Sequence, residues 1–250
     1  MFAFIVIVFC SHLLLASANI KPNGTHINHW GFIKLLSRPI DHYEFNVGDN
    51  LTLEFFFVGS PPPNVHWFTN MTSILNHDSE DQDSVAMRGY SPYIKNIAAI
   101  KSKFHIPIAT IHNAGQYSFM VTNGMDNYLN KTFHVTASPR NFTDPSRKIA
   151  ANQQKTNNTI PYIRTWTHTI LAKIGYPAIL TCRTNQAPGE SIEWTDSGGL
   201  DLEYFYNFKM LPSGDLLIRK VFEGYLGSYK CNVQNQYGRD TVEIFLHPSY

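Results

Sequence analysis

Cysteine is scarce in this 250-residue chain. There are three, too few for a disulfide-framework miniprotein or a four-thiolate zinc site. Charge of either sign is scarce too: Lys plus Arg is 20, Asp plus Glu is 19, and the net charge is +1. The chain therefore lacks the basic footprint that supplies most nucleic-acid affinity. Beyond the first residues no apolar run approaches the roughly 20 needed to span a bilayer. The short run Ile244–Leu246, just before Pro248, is not the 10–20-residue or so hydrophobic tail of a GPI signal. Helix-period patterning never extends beyond about ten residues. No G-x-S-x-G, H-E-x-x-H, P-loop or G-x-G-x-x-G is present. The 11 His are scattered, with no pair at metal-ligand spacing beside Cys or a carboxylate, and His66 and His112 read as structural or surface side chains. No catalytic, metal or cofactor site is expected, and the chain does not read as an enzyme.

What is present is apolar and aromatic. Hydrophobic residues make up 43% and aromatics 14%, with 17 Phe and 13 Tyr, which argues against wholesale disorder and favours strands. Phe2 to Leu15 is almost wholly apolar and uncharged, and Ala16-Ser17-Ala18 follows as a small-x-small cleavage pattern. Residues 1–18 read as a cleaved secretory signal; an uncleaved anchor is the alternative. Cleavage removes Cys10 and leaves Cys182 and Cys231, an even count that in an oxidising compartment favours one disulfide. Six N-x-[ST] sequons agree with export: Asn23, Asn50, Asn70, Asn130, Asn141 and Asn157. All lie before residue 160, so glycans would clothe the first part of the chain and leave the rest bare. The expected location is extracellular.

The chain repeats itself. Gly175, Pro188 and Trp194 flank Cys182 at the offsets at which Gly48, Pro61 and Trp67 flank Phe55. Leu216, Ile218 and Val221 precede Gly227, Tyr229 and Cys231 as Phe104, Ile106 and Ala109 precede Gly115, Tyr117 and Phe119. Asn235 and Asn123 follow at matching distance. This is an internal duplication. Within each unit, Leu51-Thr52-Leu53-Glu54-Phe55 and Ile179-Leu180-Thr181-Cys182 alternate with the period of half-buried strands. Between the units, Ala137 to Ile160 holds Pro139, Pro145, two sequons and a polar run from Asn152 to Asn158, and reads as a solvated linker. Its Arg140, Arg147, Lys148 and Lys155 are spread as solubilising charges rather than packed as a heparin site. The acidic run His77 to Asp83 lacks the spacing and turn Gly of a calcium loop.

Cys182, Trp194, Tyr229 and Cys231 stand where an immunoglobulin fold places its inter-sheet bridge, strand-C Trp and tyrosine corner. Gly227 to Asn235 with Gly238 resembles the I-set version, as do Phe55, Gly59, Pro61, Pro63 and Trp67, and Asn113, Gly115, Tyr117 and Asn123. The resemblance implies an all-β fold: two tandem immunoglobulin-like β-sandwiches after a cleaved signal peptide. The domains are expected at 41–135 and 162–247, with a linker at 136–161. The whole arrangement resembles the zwei-Ig-domain proteins, small secreted proteins tied to the nervous system. It implies a Cys182–Cys231 disulfide closing a 49-residue separation (231 − 182), worth about 4 kcal/mol in the chain-entropy model. The first domain departs from the pattern, because Phe55 and Phe119 occupy both bridge positions. Two readings stand: the rings with Trp67 compensate for the missing bridge, or that domain is looser.

The fold resemblance implies a recognition module, binding an extracellular or cell-surface protein, with another immunoglobulin-superfamily member among the candidates. A matrix structural glycoprotein is the alternative. The partner face is expected on the sequon-free second domain, on the sheet of strands C, F and G. Alternation turns Glu193, Lys230 and Phe245 outward there, and period two places Tyr204, Tyr206 and Phe208 in one row. Those rings are either exposed anchors, the residue type enriched at interface hot spots, or core.

Overall fold

The computed structural model describes residues 31–38, 41–70, 72–73, 96–123, 127–138 and 160–249. The signal segment, Asn23, Asn141, Asn157, the acidic run and most of the linker lie outside the described residues. Eight strands build the first sandwich: β1 (Phe32–Leu35), β2 (His42–Asn46), β3 (Leu51–Ser60), β4 (Asn64–Thr69), β5 (Thr72–Ser73), β6 (Ile97–Ile106), β7 (Gly115–Thr122) and β8 (Tyr128–Ser138). The second is built from β9 (Ile163–Lys173), β10 (Ala178–Leu180), β11 (Cys182–Thr184), β12 (Ser191–Asp196), β13 (Phe208–Met210), β14 (Leu216–Ile218), β15 (Gly227–Asn235) and β16 (Gly238–Ser249). The first sandwich begins ahead of the expected residue 41, because β1 pairs with β3. Only glycine permits that approach at position 59, where a Cβ would lie 2.8 Å from the Phe32 carbonyl oxygen.

The duplication seen in the sequence is a duplication of structure. In each half a 3₁₀ turn precedes a strand that carries a tyrosine corner. The Tyr117 hydroxyl donates to the Asn113 carbonyl at 2.8 Å, and the Tyr229 hydroxyl donates to the Tyr225 carbonyl at 2.5 Å. Burial, then Asp196 and Tyr225, raises the Tyr229 hydroxyl well above the usual tyrosine value, so it stays a donor. Trp194 donates its indole N–H to the Gly214 carbonyl at 2.9 Å. Gly214 sits at φ +95°, and a Cβ there would meet the Cys182 carbonyl oxygen at 2.7 Å.

The two cores are filled by different means. Cys182 and Cys231 are bonded in the second, with Trp194, Leu180, Val233 and Ile244 buried around them. In the first, the Phe55 and Phe119 rings lie 4.7 Å apart between centroids, 5.7 and 5.9 Å from Trp67. Phe57 and Phe133 complete the cluster, all fully buried. The rings fill the space that a bridge would cross.

The linkage between the sandwiches departs from a pair of independent beads. The described residues form three sheets: five strands (β2-β8-β7-β4-β5), three strands (β10-β14-β13) and eight strands. The eight-stranded sheet runs β1-β3-β6-β9-β16-β15-β12, with β11 also on β9, and so belongs to both sandwiches. Strand β9 makes this possible. One edge pairs antiparallel with β6 of the first sandwich. The other edge pairs first with β11 and then, past a bulge at His168, in parallel with β16. An exposed edge is a template for another strand, and here each sandwich covers the other's.

Candidate functional site

Side chains of directly paired residues share a face, so the ladder registers define what the eight-stranded sheet presents. Lys34, Val58, Ala99, Thr169, Phe245 and Ser228 form one cross-sheet row through β1, β3, β6, β9, β16 and β15. Ile97, Leu171 and His247 form the next row across the joint. The alternate residues, including Phe57, Ile100, Ile170 and Leu246, point into the cores. The row therefore lies on the side turned away from the cores, with Val58 and Thr169 buried within it, and its ladder crosses both sandwiches through the bulge at His168.

That face is mixed in charge and rich in rings. Lys101 lies 5.8 Å above the Phe56 ring and 3.9 Å from the Glu54 carboxylate. His168 meets Phe56 edge to face at 5.7 Å. Burial, then nearby Lys101, lowers the His168 pKa, with Glu54 opposing, so the imidazole is neutral at physiological pH. Phe245 is 38% exposed and stacks on His247 at 6.3 Å. Toward the far edge lie exposed Glu243, Lys230 and Glu193.

The joint beneath this face is held by more than its ladder. Trp67 donates its indole N–H to the Ser102 hydroxyl at 2.8 Å, and that hydroxyl bonds the Thr165 hydroxyl at 2.8 Å, all buried. Arg183 forms an ion pair with buried Asp215 at 3.0 Å and donates to the Asn64 side chain at 2.8 Å. Lys103 reaches Asp240 at 3.2 Å and lies over the Tyr162 and Trp166 rings. The Asp240 carboxylate also accepts from the Ile163 backbone N–H at 2.9 Å. His105, bonded to the Thr52 hydroxyl, titrates below its usual range through burial and Lys103, with Asp240 opposing.

The residues expected to bind a partner separate into two groups. Glu193, Lys230 and Phe245 lie on the outer face of the eight-stranded sheet, as alternation predicts. The row of Tyr204, Tyr206 and Phe208 does not exist. Successive turns carry the chain there, with the Phe205 N–H on the Leu202 carbonyl and the Phe208 N–H on the Phe205 carbonyl, so period two does not apply. Tyr204 and Tyr206 are 85% and 89% exposed, whereas Phe208 is 7% exposed. Phe208 packs on Tyr225 and Tyr229 and belongs to the core. Tyr206 is tied by Arg219 to the end of β14, in the three-stranded sheet. Sequence reasoning missed Phe56, Lys101 and His168, although alternation in Ile97–Ile106 carried part of the signal.

Of the sequons, Asn50, Asn70 and Asn130 are described, and all three side chains are exposed. Asn130 is on β8 opposite Met120, on the outer face of the five-stranded sheet, and Asn70 bonds β7 of that sheet through its backbone. Asn50 is in the turn that leads into β3. Among the described residues no group of His, Cys, Asp and Glu could hold a metal ion. Among them, too, no helix is long and apolar enough to cross a membrane.

The family model for the Immunoglobulin I-set domain matches residues 34–135 and 161–247. The Zwei Ig domain protein zig-2 of Caenorhabditis elegans is 28% identical over 210 residues, covering 81% of this chain and 79% of that protein. The Neural/ectodermal development factor IMP-L2 of Drosophila melanogaster is 26% identical over 202 residues, covering 80% of this chain and 71% of that protein. The crystal structure of neural ectodermal development factor IMP-L2 superposes with a TM-score of 0.63 at 21% identity, covering 87% of this chain and 94% of that one. Neither this family nor these relatives are named for an enzymatic activity.

Proposed function

The chain belongs to the immunoglobulin I-set family, and from that premise we propose that it is a secreted recognition protein that binds an extracellular or cell-surface protein through the outer face of its eight-stranded sheet. The observation that carries this reading is the continuity of that face across both sandwiches. Two half-faces joined by a ladder offer one preorganised platform, so little ordering entropy is lost on docking. Its chemistry is that of a protein interface: rings at Phe56 and Phe245, imidazoles at His168 and His247, and charges of both signs. Sugar placement agrees for the second sandwich, which has no sequon, and for Asn130, which projects from the opposite sheet of the first, while Asn50, in the turn into β3, sets a glycan at the first-sandwich margin of the face. The apolar run and cleavage pattern at residues 1–18 support export. The relative named for neural and ectodermal development supports a neural setting, with another immunoglobulin-superfamily protein among the partners that suit a flat sheet face.

The test is a binding screen of the purified full chain against extracellular proteins, repeated with Phe245→Asp and Lys230→Glu. The account expects at least a tenfold loss, about 1.4 kcal/mol, with an unchanged melting temperature. Tyr204→Ser, in a turn outside the ladder, serves as the comparison and should bind normally. A partner that binds both sheet-face variants as tightly as the wild type would contradict the site.

A further inference from the structure

One end of the second sandwich carries a cluster at the margin of the sheet face. The β9–β10 loop and the segment after β14 are locked together there. The Gly175 N–H donates to the Val221 carbonyl at 2.8 Å, and the Val221 N–H donates to the Tyr176 carbonyl at 2.9 Å. The Asn207 side chain donates to the Lys220 carbonyl and accepts from the Lys220 N–H, which draws the Tyr206 turn into the same end. Three exposed rings result, each with a cation over it. Lys173 lies 5.0 Å from the Tyr176 ring centre, Lys220 lies 5.3 Å from Phe222, and Arg219 lies 5.1 Å from Tyr206. Phe222 is anchored from below by Tyr225 at 5.7 Å, and Tyr225 by Phe208 at 5.1 Å, so the cluster stands on the core.

We propose that this cluster is a binding site for an acidic polysaccharide, a sulfated glycosaminoglycan chain. Three side-chain cations are gathered at one end of a protein whose net charge is only +1. Among the described residues Lys173 and Lys220 form no ion pair with a carboxylate. Rings beside cations suit sugars that carry anions: the C–H face of a pyranose stacks on an aromatic ring while its sulfate meets the neighbouring cation. A lipid surface fits less well. Aromatic residues there work with apolar side chains that enter the acyl boundary, whereas Tyr176 and Tyr206 end in hydroxyls and each ring here has a charged side chain beside it. Export and the absence of a sequon beyond residue 160 leave this end accessible. Lys173 ends β9 two residues beyond Leu171 of the sheet face, so the site borders that face, while Lys220, Arg219 and their rings lie outside its ladder.

The experiment uses the full glycosylated chain on immobilised heparin at roughly physiological salt, about 0.15 M. Wild type should be retained and released by added salt. Lys173→Glu with Lys220→Glu should weaken binding about tenfold, since both charges act within a Debye length of the chain. Tyr206→Ser, which leaves every charge in place, should weaken it severalfold; neither variant should change the melting temperature, and Tyr206→Ser should leave partner binding unchanged. Desulfated heparin should not bind. Four outcomes would overturn the proposal: no retention of wild type; equal retention of the lysine variant; loss with Arg147→Glu and Lys148→Glu in the linker instead; or binding to phosphatidylserine vesicles with no binding to heparin.

Discussion

The two sandwiches answer the same architectural demand with different chemistry. In the second, a covalent bridge joins the sheets at Cys182 and Cys231. In the first, the matching positions hold Phe55 and Phe119, whose rings meet inside a cluster with Trp67, Phe57 and Phe133. A disulfide acts mainly by restricting the unfolded chain, in the entropic account. The rings act in the folded state, through burial worth about 1.5–3 kcal/mol each and aromatic contacts worth about 0.5–1.5. The difference teaches that the bridge positions need volume and cross-sheet contact, which sulfur is not alone in supplying. It also divides the molecule by environment: among the described residues only the second sandwich holds a disulfide for reductant to act on.

The largest expected effect is in the ring cluster. Phe119→Ala should cost about 3–5 kcal/mol, because the site is walled by rigid rings that collapse poorly. Chemical denaturation of the full chain measures it, and a cost below about 1 kcal/mol would mean that the rings are not the counterpart of the bridge. Reduction should cost about 2–5 kcal/mol and be read only in the second sandwich, as faster amide exchange around β11 and β15. Equal acceleration around β3 and β7 would erase the contrast between the two cores. Ser102→Ala is expected to cost about 1–3 kcal/mol, because it leaves the Trp67 indole N–H buried without its acceptor and removes the hydroxyl partner of Thr165. That loss should loosen β9 as well as the first core, unlike the two preceding changes.

The smallest effect is on pH. His105 and His168 titrate below the ordinary value of 6.5, so as pH falls the unfolded chain takes up protons first. Their contribution is full above about 6.5 and declines below it, so stability should fall from pH 7 to 5. Replacing both with Gln should flatten that decline while leaving Tm at pH 7.5 nearly unchanged. An equally steep decline in the double variant would remove these imidazoles from the account.

Much of the fold was legible because its signals are local. Landmarks at equal offsets from Phe55 and Cys182 exposed the duplication, and period two placed Glu193, Lys230 and Phe245 outward. The Tyr204–Phe208 row was misread because Glu203 to Asn207 form turns, and the direction of a side chain after a turn depends on hydrogen bonds that no alternation encodes. The shared sheet was illegible for a deeper reason. Ile163–Lys173 forms a strand, but which edge it joins depends on what each sandwich leaves uncovered. Ser102 and Thr165 are ordinary small polar residues until the two strands lie side by side. The candidate face was therefore half visible, in its second-sandwich part, while Phe56, Lys101 and His168 became part of it only through β9.

The claim on which the rest depends is that β6 and β9 pair, making one sheet of two sandwiches. Amide hydrogen exchange on the full chain tests it directly. Strand β6 has one edge on β3 and the other on β9, so in an independent first sandwich the N–H groups along the second edge would meet water. The account predicts that amides from Ile97 to Ser102 on both edges exchange slowly and at similar rates, as interior strands do. Fast exchange of the alternate amides that face β9, at the rate of an open edge, would contradict it.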